Sequence, residues 1–450
     1  MNSLFSSVFR FFGSLGLTVA LLFFSIVLVF FGTLDQVQWG IHHTQELYFE
    51  SWYVLTPFLS LFKVFTSHFF DPDLAHIVFP LPGGKTLGAL LLVNLTCAHF
   101  RYFKPSWKKV GIVVLHFGVL LLLVSGFLTA AMQEESNMQL DEGGPPVNYS
   151  TSFHHEELVL IDRSGATDDI VTSVPFTMLY SGKPIELPNG FKVIPHAAMQ
   201  NAGAGMRASL LGQYQQMASG GANMSESQFR QVNRSITSLS DPSVIVIAED
   251  GAPILRSDGL ELKGFAPRMG GILQEQPPTF AQDERNLGAA VVEVIAPGGK
   301  SQGSWLLSSG FGPGIPPQGF VYEGKRYDIA VRFKRHYLPY TLQLEDFKHD
   351  LYPGTQIPKN FSSDVVIDNP ETGENRPVLI YMNHPLRYEG LTFFQASFAN
   401  EDKTSILQVV RNPYWTLPYW AVLMVGLGMT IQFGISLSRF VSRLKKKAAA

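Results

Sequence analysis

The chain has 450 residues, 46% of them apolar, and it is close to charge balance, with 34 Lys and Arg against 37 Asp and Glu. That balance excludes the broad basic field that non-specific nucleic-acid binding draws on, and a single cysteine, Cys97, excludes an internal disulfide or a CxxC thiol pair. Apolar residues crowd into the first third and the C-terminal tenth of the chain, so the class to test is a membrane protein with a polar middle.

Phe11 to Leu34 carries no charge and at ~1.5 Å per residue is long enough for the ~30 Å hydrocarbon core, which predicts a first span within residues 1–34. Arg10 ahead of an apolar run also suits a signal peptide, but Gly32-Thr33-Leu34-Asp35-Gln36 offers no small-x-small cleavage site and the run is too long. Residues 35–85 read as a loop. Within it Ser51 to Phe70 is rich in Phe, Leu and Val, while Pro57, Lys63 and His68 favour a helix lying in the interface over a fifth span. A second span is expected over 86–103: Thr86 to Ala98 is apolar apart from Asn94 and two threonines, and needs Phe100 to Phe103 to reach membrane thickness. A basic loop, 104–109, leads to a third span over Val110 to Met132. The fourth, in 413–437, opens with Tyr414, Trp415, Tyr419 and Trp420, residues suited to a membrane–water interface, and a basic tail occupies 438–450.

Arg101, Lys104, Lys108 and Lys109 lie between the second and third spans, and Arg439, Arg443, Lys445, Lys446 and Lys447 follow the fourth. Positive-inside sorting puts both sets, and both termini, in the cytoplasm. Residues 133–412 then fall on the opposite face, periplasmic in a Gram-negative cell or lumenal in a plastid.

That region contains short runs rich in Val, Ile, Phe and Tyr between Gly, Pro, Asn and Asp. They are 157–161, 191–194, 243–248, 290–295, 329–333, 341–347, 364–367, 378–382 and 391–397. Many alternate, as in Tyr340 to Phe347, which predicts antiparallel, sandwich-like sheets. The Ala, Gln, Ser and Met of 197–239 break the pattern and predict a helical insertion, with strand resuming after Asp241-Pro242. The expected fold is thus four membrane helices carrying a large, mainly antiparallel β domain. Its histidines, His42, His43, His154, His155, His336, His349 and His384, show no HExxH spacing, and a surface or hydrogen-bonded role is the ordinary reading for each.

His116 differs, because it sits among apolar residues about six positions, or ~9 Å, into the third span. An imidazole in hydrocarbon must face other helices and find a partner. One reading is an interhelical hydrogen bond to Asn94 or Thr96, and the other is a cofactor ligand, with Gly111 and Gly118 giving room for a neighbouring helix or a flat ring. A self-contained di-haem cytochrome b would need four histidines at two depths, and these spans supply His116 and, at the end of the second span, His99. His99 reads first as an interface residue and second as a haem ligand. If His116 binds haem, the trans ligand is expected from another polypeptide.

Several segments carry a family likeness. They are Phe12-Gly-Ser-Leu-Gly-Leu-Thr with Gly32-Thr-Leu-Asp-Gln36, Leu90-Leu-Leu-Val-Asn-Leu-Thr-Cys97 with Arg101, and Leu342-Gln-Leu-Glu-Asp-Phe347 with Tyr352-Pro-Gly-Thr355. Pro358-Lys-Asn-Phe-Ser-Ser363, Met382-Asn-His-Pro-Leu-Arg-Tyr-Glu-Gly390 and Phe394-Gln-Ala-Ser-Phe398 complete the set. In order and layout they resemble the ResB (CcsB) family of system II cytochrome c biogenesis proteins. The resemblance implies a bacterial inner-membrane protein that works with a CcsA or ResC partner to conduct haem b across the membrane and present it to apocytochrome c. Thiol-reducing proteins belong to the same pathway. It implies a scaffolding subunit of a haem lyase, with no catalytic residue of its own, because the partner family's tryptophan-rich motif is absent here. His116 aligns with the family's third-span histidine, taken as an axial ligand of haem iron. The alternative is a membrane-tethered sensor or assembly scaffold whose β domain binds a ligand while His116 merely packs.

Overall fold

A computed structural model describes residues 2–55, 80–102, 106–165, 168–220, 224–279, 285–312, 315–355 and 358–448. Beyond Leu55, the interfacial helix expected over Ser51 to Phe70 lies outside these residues, as do Phe103 and Lys104. The longer helices are α1 (Asn2–Phe12), α2 (Leu15–Trp39), α3 (Gly84–Tyr102), α4 (Val110–Met132), α5 (Arg207–Ser219), α6 (Glu226–Ser240) and α7 (Leu417–Ala448).

Among the described residues, three helical segments are long and apolar enough to cross a membrane: Leu15–Val37 in α2, Trp107–Met132 around α4, and Leu417–Ala448, which is α7. The fourth expected span is α3, a helix of 19 residues, but Lys85, Asn94, His99 and Arg101 dilute its apolar character and it does not join the other three. It packs against α1, α2 and α4. Ser14 caps α2, its Oγ accepting from the Leu17 amide at 3.3 Å, and Gly13 ahead of it sits against the backbone of Cys97.

Helices α4 and α7 run together on a seam of small residues. A Cβ on Gly111 would lie 2.5 Å from the Gln432 backbone nitrogen, and one on Gly118 would lie 2.9 Å from the Ala421 carbonyl oxygen. Only glycine permits that approach. The helix pair continues directly into the β domain, because strands Glu134–Asp141 and Thr404–Arg411 are antiparallel neighbours with Glu134 opposite Arg411. Between them Asn412 donates from Nδ2 to Thr129 Oγ1 at 3.4 Å and Gln133 Oε1 at 3.3 Å.

The β domain is built on one ten-stranded sheet and smaller sheets of five and four strands. Its longest strand, Lys325–Leu351, runs through both halves of the large sheet, pairing with Val147–Asp162 on one side and with Pro358–Asn369 on the other. Sequence alternation divides this strand in two, and the break has a physical cause. Pro339 cannot donate to a ladder, and pairing to Val147–Asp162 skips from Tyr337 to Leu342 there.

The two halves differ. On one side of the break, Leu158, Leu160, Ile329 and Val331 pack on Val292, Val294, Leu307 and Trp305 of the five-stranded sheet. On the other the sheet curls into a near-barrel rather than a sandwich, filled by Met138, Tyr340, Leu342, Val365, Phe393 and Leu407, with its edge strands Glu374–Tyr381 and Leu386–Tyr388 joined by a turn in which Tyr381 and His384 bridge. Register shifts at Phe333/Arg335 and Leu344/Asp346 supply the bend.

The opposite face of the five-stranded sheet carries Ala289, Val291 and Leu306 onto the four-stranded sheet through Ile245, Val246 and Leu273. Val244, Ile247 and Ile272 on that sheet's outer face are covered by α5 and α6 through Leu210, Leu211 and Leu239. The helical insertion therefore begins at Arg207 and not at 197, since Lys192–Met199 and Ala202–Met206 are strands. A capping box starts α6, with Ser225 and Gln228 exchanging bonds. Arg207 donates to the Leu239 and Asp241 carbonyls at its C-terminal end.

Candidate functional site

The structure brings His99 and His116 together. His116 on α4 and His99 on α3 have ring centres 5.7 Å apart and planes inclined at 37°, and both side chains are half-buried on the flank of the helices. The Nδ1 of His116 lies 2.7 Å from the Ile112 carbonyl oxygen. A carbonyl only accepts, so Nδ1 carries the proton and Nε2 keeps its lone pair. A ligating imidazole needs this tautomer, held by a bond to its other nitrogen.

The hydrogen-bonding alternatives for His116 are engaged elsewhere. Asn94 is buried against α1 and α2, donating from Nδ2 to the Phe12 carbonyl at 2.5 Å and to Ser14 at 3.2 Å while accepting from Thr18 Oγ1 at 2.7 Å. Thr96 donates to the Leu92 carbonyl of its own helix at 2.7 Å. Arg101 donates to the Arg10 carbonyl at the end of α1, where a cation complements the helix dipole. Gly111 and Gly118 face α7, so the room they give is filled by a helix and not by a ring.

Two imidazoles on opposite faces of one metal ion stand about 6 Å apart between ring centres, from ~2.0 Å metal–nitrogen bonds, and 5.7 Å is close to that. Helices α3 and α4 pack directly against each other. His116, with His99 beside it, is the side chain on these helices whose chemistry would suit haem iron.

In the β domain, segments far apart in sequence converge on His349. Its ring lies 4.6 Å from that of Phe361 and 4.8 Å from that of Phe398, and its Nδ1 is 3.2 Å from Asp402 Oδ1. Asp402 ends a run of three left-handed residues, Asn400, Glu401 and Asp402. In the sequence Phe347, Phe361 and Phe398 fall in separate segments that nothing joins. The available signal is that Phe347 and His349, two apart on one strand, share a face. Of the other histidines, His384 stacks on Tyr381 at 4.2 Å and His154 meets Phe153 edge-on at 4.7 Å. Among the described residues no group of three or more His, Cys, Asp or Glu side chains is placed to hold a metal ion.

Residues 309–410 match the model of the ResB-like family. That stretch includes the long strand and all but a few strands of the near-barrel. Protein NrfI of Wolinella succinogenes is 31% identical to the chain over 122 residues, which is 26% of this chain and 14% of that protein. The ResB likeness carried by the motifs is thereby shown, in a family linked to cytochrome c biogenesis.

Proposed function

We propose that this ResB-like membrane protein holds haem b on the flank of its membrane helices through His116 Nε2, shares it with a CcsA/ResC-type partner that donates the trans ligand, and presents it for attachment to apocytochrome c. The observation that carries the reading is the Nδ1 bond to Ile112, which leaves the other ring nitrogen as a free lone pair inside an apolar helix. Haem, when bound, brings the vinyl groups to which the cysteine thiols of an apocytochrome CxxCH motif add. This chain contributes position. The glycine seam with α7 fixes the rotation of α4 and hence the direction of His116.

This reading puts both termini in the cytoplasm and the β domain on the outer face of a bacterial inner membrane, which the basic loop and tail support, and takes α3 as a fourth, more polar crossing sheltered by its neighbours. Apocytochrome is received there by strand addition. Among the described residues, strands Ile170–Pro175 and Gln318–Tyr322 each pair along one edge only, and each exposes an apolar side chain, Ile170 and Val321. Crosslinking a CxxCH peptide to the full chain tests this step, and labelling confined to the membrane helices overturns it.

The haem reading is tested by purifying the chain with its multi-span partner and measuring haem in wild type and His116→Ala. We expect the variant assembly to lose its haem and to stop maturing cytochromes. Undiminished haem and normal maturation would overturn the reading.

A further inference from the structure

A cleft of about 660 Å³ opens where the edge of the five-stranded sheet meets strand Gln318–Tyr322, far in sequence from His99 and His116. Four cations line it, Lys263, Arg268, Lys300 and Arg326, against one carboxylate, Glu261, in a chain whose net charge is −3. Lys263 pairs with Glu261 at 2.5 Å and Arg326 with Asp328 at 3.0 Å. Among the described residues, Arg268 and Lys300 have no carboxylate within ion-pairing distance, and both are exposed.

The remaining wall is aromatic and apolar. Trp305 and Phe320 lie 6.1 Å apart with planes at 39°, and Pro316 and Pro317 stiffen the loop beside them. Two buried polar side chains line the cleft and differ in kind. Gln318 is fully engaged, accepting from the Phe265 amide and donating to the Leu306 carbonyl, both at 2.7 Å. Trp305 is 3% exposed, so it forms the packed floor of the cleft and does not present its indole N–H to it.

We propose that this cleft binds an organic anion, one or more carboxylate, phosphate or sulfonate groups carried on a flat apolar body. Arg268 and Lys300 meet the charge, and Phe320, Val321 and the two prolines cover the apolar face. The volume suits a ligand of that size. The proposal is independent of haem binding at His116.

The test uses the full chain in detergent with two probes, pyranine, a water-soluble trisulfonated pyrene followed by its fluorescence, and inorganic phosphate as competitor. We expect one pyranine per chain, affinity falling at least tenfold in Arg268→Glu/Lys300→Glu, and phosphate competing far more weakly than pyranine binds. Arg268→Lys/Lys300→Arg, which keeps both charges, should bind pyranine within about threefold of wild type. Thermal melting in both variants checks that they are folded. Pyranine affinity unchanged by the charge reversal overturns the site. Phosphate binding as tightly as pyranine overturns the requirement for an apolar body.

Discussion

The imidazoles of His99 and His116 face one another at 5.7 Å across two helices whose backbones are in contact. That pairing makes the two histidines separable by experiment. If haem lies on the open flank of α4, His116→Ala empties the assembly, while His99→Ala leaves most of the Soret absorbance in place and changes its position only slightly. Added imidazole should restore absorbance to the His116→Ala assembly by filling the vacated axial position. Equal loss in both variants would mean that the pair brackets the iron and that no ligand comes from a partner.

The glycine seam yields a stability prediction. A leucine at Gly111 must displace the backbone of Gln432 and Gly428, since even its Cβ would sit 2.5 Å from Gln432 nitrogen. Overpacking of this kind costs about 1–3 kcal/mol or more, so Gly111→Leu should lower the melting temperature in detergent and reduce the yield of folded protein. Gly126 lies on the same helix, and a Cβ added there would meet nothing within 4 Å, so Gly126→Ala should melt like wild type.

Much of this architecture could be read from residue order, and the parts that could not share a cause. Strands that alternate strongly are visible, as at Tyr340, Leu342 and Leu344, all buried between more exposed neighbours. Glu134–Asp141 is not, because among its eight residues only Met138 and Leu140 are apolar, and it is a strand by virtue of pairing with Thr404–Arg411 at the far end of the domain. His116 stands out as a lone imidazole in a span, but residue order leaves its partner open. That Asn94 is committed to the α1–α2 junction is a tertiary fact. The same holds for His349, whose ring neighbours come from separate strands.

Asp241 gives a pH prediction at the join between α6 and the next strand. Its bond to Arg256, followed by those from the Ser243 hydroxyl and amide, lowers its carboxyl from 3.8 to about 2. A carboxyl depressed on folding adds stability above its unfolded value and loses it as pH falls through the folded one. Wild type should therefore lose stability between pH 3.8 and about 2 more steeply than Asp241→Asn, which has no proton to take up. Melting temperatures of the two proteins, measured across that range in one detergent, should converge at the acid end. Parallel curves would show that the carboxylate is not linked to folding.

Asn94 separates structure from ligand binding in the membrane helices. Its amide donates to the Phe12 and Ser14 carbonyls where the chain breaks between α1 and α2, and its oxygen accepts from Thr18. In lipid these carbonyls have no water to turn to, and interhelical bonds of this kind contribute about 0.6–2 kcal/mol each. Asn94→Leu should therefore lower the melting temperature by several degrees while leaving the haem content of the folded, partner-bound protein unchanged. His116→Ala should do the reverse. Its imidazole bonds only within its own turn, to Ile112, so removing it costs the helices little. Thermal melts and Soret absorbance measured on the same preparations decide the matter. A haem loss in Asn94→Leu matching that of His116→Ala would tie the two residues into one site and revive the hydrogen-bonded reading of the histidine.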